Sequence, residues 1–331
     1  MKYGAHIQEA RTHFPELKLH LLDESEFNVF KNEEFAKKCI DVCVDLCNNA
    51  SKKLNINLNF AVNYNYDFNA RATVRKKHSI ITFNIGLIEK LEHIINDSIE
   101  LFLHENIASL TIQENEKLRL KGISNTCCIY YLFYHELAHV LQLFEANESS
   151  IFDLQEQYSN EKPFEIQKHI YEFDADLFGS LMSTFKLIEK LKNIDNQFDI
   201  FPLFNSLTAL LFTTGNIIII FSRNLFEEIY YKANSHPHPL IRIIKCNEQI
   251  LSFASKNLAI QNEFFEVTLQ RNANMISQLE YSAKFRVNYT ELYKNNEEKI
   301  DDYINEIEVL NENYKELVRF KAQEIFNALR N

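Results

Sequence analysis

Apolar residues recur at helical spacing along most of this chain, and strand-like alternation is confined to two short runs near residues 60 and 80. Residues 33–53 set Phe35, Cys39, Val42, Cys43, Leu46 and Ala50 on one helical face. Residues 54–62 alternate apolar side chains with polar ones (Leu54, Ile56, Leu58, Phe60, Val62), which predicts a half-buried strand. Residues 64–77 read as polar and irregular, 79–85 as a second strand, and a helix begins at Leu87. Further helices are expected over 97–122, ending near Gly122, over 124–145 and, beyond Pro163, over 164–192. Residues 201–221 are the most apolar stretch and long enough to span a bilayer. Asn205, Ser206, Thr208, Thr213, Thr214 and Asn216 interrupt it and no basic flank accompanies it, so a buried core helix broken at Gly215 is expected. Residues 290–330 read as one long amphipathic helix carrying Leu292, Ile300, Tyr303, Ile304, Ile307, Leu310, Leu317 and Phe320.

Composition narrows the class. Only five glycines and five prolines in 331 residues disfavour an all-β fold built on tight turns. The fold expected is α+β, predominantly helical, with a small mixed sheet. A net charge of −11 argues against nucleic acid and anionic lipid as partners. The first 22 residues lack the basic segment and apolar core of a signal peptide, and the six cysteines form no legible disulfide framework. Cys39, Cys43 and Cys47 fall on one helical stripe that is read as core. A cytoplasmic location, without membrane attachment, is the expectation.

Candidate chemistry starts in the apolar helix at residues 130–144, which contains His135-Glu136-Leu137-Ala138-His139. Residues four apart on a helix lie nearly one above the other, so two imidazole nitrogens converge on one point. A tetrahedral Zn²⁺ at ~2.0–2.1 Å from each nitrogen fits that arrangement. Glu136, one position along, is placed as general base for a metal-activated water. A catalytic zinc usually takes three protein ligands. The helix after Pro163 supplies candidates in Glu172-Phe173-Asp174-Ala175-Asp176. Glu172 is assigned to the metal, Asp176 to the support of a ligand, and Asp174 to solvent. His169, one turn before Glu172, is the rival third ligand. In Ser235-His236-Pro237-His238-Pro239 the prolines hold the backbone extended and restrict the residues before them. Either His236 or His238 is then available to an oxyanion, the other reading being a rigid surface turn.

Taken together, HExxH, a later E-x-x-A-D and an H-P followed by Arg242 resemble the gluzincin metallopeptidases of the HtpX and CAAX-prenyl-protease type. Asn69-Ala70-Arg71-Ala72 resembles that family's N-A-x-A edge-strand segment, and Gly86-Leu87 its G-L before the next helix. The resemblance covers residues 65–245. It implies a zincin-like domain over 1–250 with a helical C-terminal extension over 251–331. His135, His139 and Glu172 then bind zinc and Glu136 is the base. His236 with Arg242 lies near the oxyanion or holds the site together, and Asn69 and Ala70 lie on the substrate edge strand. Family members usually carry clear membrane spans and a shorter path from G-L to HExxH. This chain is therefore expected to be a soluble relative, similar to the phage-exclusion peptidase Lit. Glu172 to Phe178 is also similar to the ImmA/IrrE-type peptidases that cleave repressors.

The function expected is a zinc-dependent endopeptidase acting on a protein or peptide in phage defence or regulatory proteolysis. The alternatives are a non-catalytic metal-binding protein that sequesters a partner, and a membrane-anchored protease of the HtpX type.

Overall fold

The computed structural model describes residues 1–15, 21–106, 114–145, 154–155, 164–194, 200–222, 228–234, 236–258, 266, 268–269 and 288–330. In chain order the helices are α1 (Tyr3–His13), α2 (Glu33–Leu54), α3 (Ile85–Asn106), α4 (Glu114–Glu145), α5 (Ile166–Ile194), α6 (Ile200–Phe221), α7 (Pro239–Leu258), α8 (Tyr289–Asn311) and α9 (Ala322–Arg330). The strands are β1 (Asn57–Asn63), β2 (Ala70–Arg75), β3 (His78–Asn84) and the two-residue β4 (Leu154–Gln155). The fold is predominantly helical α+β with a small mixed sheet, as the apolar spacing predicts. Two compact units are each assembled from separate stretches. One comprises Met1–His93, Leu132–Gln157 and Tyr314–Asn331, the other Ile94–Tyr131 and Tyr158–Asn313.

The first unit is organised on the sheet, in the order β1-β3-β2-β4, with β1 parallel and β2 antiparallel to β3. Helix α2 begins where the Asn32 side chain accepts from the Phe35 N–H, and glutamates in its first turn and lysines in its last complement the helix dipole. It ends at Leu54 because Asn55 takes left-handed backbone (φ 53°) and caps it, so Leu54 closes a helix rather than opening a strand. All five positions from 58 to 62 in β1 are buried, so the strand is not half-buried as its alternation suggested. Both α1 and α2 pack against it, and Asn59 is accommodated by a 3.2 Å hydrogen bond with His6. Cys39, Cys43 and Cys47 are buried core thiols.

The stretch read as irregular contains β2, a hairpin partner of β3 that turns at Lys76 with φ 55°. Local polarity hid this strand from periodicity, although the resemblance to an edge-strand segment at residues 69–72 implied one, and its pairing with β3 is what stabilises it. Beside it β4 pairs with Arg71 and Ala72, so β2 is not an open edge there; Asn69 and Ala70 lie just before that pairing and are buried. Gly86 is required by packing. A Cβ there would sit 1.9 Å from the Tyr66 carbonyl oxygen.

The second unit is helical. Ile123, Cys127, Leu187, Leu207, Leu211 and Ile250 share a buried apolar cluster. Helix α4 runs unbroken through Gly122, beginning ten residues before the expected start, and α6 runs unbroken through Gly215. Leu203–Phe221 is long and apolar enough to cross a membrane, and 83% of its apolar window is buried inside the structure. The single helix expected over 290–330 is two, because the chain turns after Asn311 and passes through a 3-10 turn at Val318–Phe320. That turn breaks the helical phase, so Leu317 is buried while Phe320 is exposed.

Candidate metal centre

Helix α4 presents His135, Glu136 and His139 among Leu132, Phe133, Leu137 and Val140, and all of these side chains are buried. The spacing does what helical geometry dictates. The two Nε2 atoms lie 3.1 Å apart with the rings nearly perpendicular, at 87°. A tetrahedral ion at ~2.0–2.1 Å would hold two nitrogens about 3.3 Å apart. His139 Nδ1 lies 2.9 Å from Gln142 Oε1. Because an amide oxygen only accepts, the proton is on Nδ1, and Nε2 carries the lone pair a metal needs. Gln142 was missed in the sequence. It follows His139 by three residues and so shares its face, which is the signal that marks it.

The second polar turn is on α5. Glu172, Asp174 and Asp176 are all buried, so Asp174 does not face solvent as expected. Asp176 receives both arms of the Arg242 guanidinium, Nε at 2.7 Å and Nη2 at 2.8 Å, together with the Tyr131 hydroxyl at 2.7 Å. Arg242 Nη2 also lies 3.5 Å from Glu172 Oε2. The support that Asp176 provides thus reaches Glu172 through Arg242. Burial pushes the Tyr131 phenol well above its usual pKa, and the neighbouring Asp176 adds to this, so the hydroxyl remains a donor. Tyr131 was also missed, although it precedes His135 by four residues and lies on the same helical face.

His236 and His238 are both buried, which removes the surface-turn reading. His236 Nε2 lies 3.4 Å from Glu172 Oε1. His238 precedes α7, where Pro239 occupies the first helical position, and its Nδ1 accepts from the Leu240 N–H at 3.2 Å. Its imidazole caps a helix and packs near Tyr230 and Tyr289, and burial lowers its pKa to about 4. His169, the rival ligand, has Nδ1 on the Tyr303 hydroxyl and Nε2 on the Asn234 carbonyl at 3.2 Å.

Among the described residues, His135 and His139 on α4 and Glu172 on α5 are all buried. Two imidazoles and a carboxylate are a donor set that suits Zn²⁺. Compared with family models, curated proteins and solved structures, the chain finds no match.

Proposed function

We propose that this chain is a zinc-dependent endopeptidase in which His135, His139 and Glu172 hold the ion and Glu136 is the general base. The observation that carries the reading is the convergence of the two Nε2 atoms, 3.1 Å apart on α4, with the His139 tautomer set by Gln142. A divalent ion in such a donor set supplies Lewis acidity and lowers the pKa of a water it binds toward ~7. Glu136, fully buried beside His135, accepts a proton from the attacking water and returns it to the leaving amine. His236, 3.4 Å from Glu172, is the imidazole placed to donate to the developing oxyanion, whereas His238 is engaged in capping α7. Arg242 clamps Asp176 and steadies Glu172. The substrate class is a protein or peptide, and the proposed setting is the cytoplasm.

Burial favours a second reading, a closed metal site in a protein that binds rather than cleaves, because His139 and Glu136 have no exposed surface. Metal analysis separates these from a metal-free core. About one zinc per purified chain is expected, lost in His135→Ala and in Glu172→Ala but kept in Glu136→Gln. Wild-type protein without metal after zinc-supplemented expression would remove both readings.

A further inference from the structure

Helix α8 lies in the stretch whose sequence carries no motif, yet it reaches the segment that leads to His236. His169 sits on α5 one turn before Glu172 and is completely buried. Its Nε2 faces the Asn234 carbonyl at 3.2 Å, and a carbonyl only accepts, so Nε2 carries the proton. Burial lowers its pKa to about 4 and keeps the ring neutral, which leaves Nδ1 as acceptor for the Tyr303 hydroxyl of α8. The direction of both bonds is therefore set, from Tyr303 O–H to His169 and from His169 N–H to Asn234.

Other contacts bind the same segment to α8. The Tyr231 ring lies 5.6 Å from that of Tyr303, and Lys232 Nζ meets Glu306 Oε1 at 2.7 Å, one turn further along. Asn234 has left-handed backbone, φ 64°, a conformation that asparagine adopts more readily than other non-glycine residues and that turns the chain just before His236. Two residues on, His236 faces Glu172.

We propose that Tyr303, His169 and the Asn234 carbonyl form a hydrogen-bonded relay that positions His236 against Glu172. Tyr303 and His169 act through others and are positioning residues. This inference rests on the metal reading above for its consequence but not for its geometry, and the test separates the two.

The test uses the full chain with Zn²⁺ alone as probe, together with imidazole ¹⁵N spectra of the metal-free protein. Wild type is expected to show His169 as the Nε2–H tautomer. Tyr303→Phe, which removes only the hydroxyl, should mix the His169 tautomers, shift the His236 resonances and weaken Zn²⁺ binding about tenfold, the low end for loss of outer support to a metal ligand. His169→Gln, whose amide offers one acceptor and one donor, should retain Zn²⁺ affinity within about threefold, whereas His169→Phe should lose it as Tyr303→Phe does. Unchanged His236 resonances and Zn²⁺ affinity in folded Tyr303→Phe would overturn the relay. If Tyr303→Phe does not fold, equal Zn²⁺ affinity in His169→Gln and His169→Phe overturns it instead. His236 shifts in a protein that binds no Zn²⁺ would keep the relay and remove the metal reading.

Discussion

The α4 turn carrying His135 and His139 and the α5 turn carrying Glu172 and Asp176 both bury ionisable groups, but they satisfy them over different distances along the chain. On α4 the paired groups are three or four residues apart: His135 with His139, and His139 with Gln142. On α5 they are far apart: Asp176 with Arg242 across 66 residues and with Tyr131 across 45. The first arrangement follows from helical geometry alone. The second exists only when several helices are in place, so it reports on folding as well as on chemistry. Changes on α4 should therefore alter function with little effect on stability, and changes around α5 should do the reverse.

Glu136→Gln probes the α4 side most strongly. It keeps shape and removes the base, so peptide hydrolysis should fall by ~10²–10⁴ while zinc content and thermal melting stay as in wild type. A variant that melts markedly earlier would mean that Glu136 is a structural group and the comparison is drawn in the wrong place.

On the α5 side, Arg242→Ala strands Asp176 as a buried carboxylate without its cation. Breaking a buried pair in this way costs roughly 3–5 kcal/mol, and denaturant unfolding should show it. Arg242→Lys should not restore stability, since one ammonium cannot reproduce the two-armed contact. Full stability in the lysine variant would show that charge alone suffices.

Acid is the mildest probe of the same region. His169 and His238 are held neutral by burial, each with its pKa lowered to about 4. The unfolded chain, with histidine near ~6.5, binds more protons between pH ~6.5 and ~4. Their contribution is thus fully present above pH ~6.5 and is lost as pH falls toward ~4, by at most on the order of 3 kcal/mol per histidine. Unfolding measured from pH 7 to 5 should show this slope, and His238→Gln should lessen it. An identical slope in that variant would place the acid sensitivity elsewhere.

The spacing of His135 and His139, the register of the helices and the core role of the cysteine stripe were decided locally, because a helix repeats every 3.6 residues whatever surrounds it. For the same reason Tyr131 and Gln142 were open to recognition, lying four and three residues from the histidines. Tertiary structure decided the rest. It made a strand of the polar segment around Ala70, because β3 satisfies its backbone, and it buried Asp174. It gave His236 and His238 different work, one beside Glu172 and the other capping α7. It also brought Tyr303, from the motif-free end of the chain, onto His169. A sequence pattern records which residues share a face of one element. Which distant group meets a buried charge depends on how the elements pack, and no local periodicity carries that.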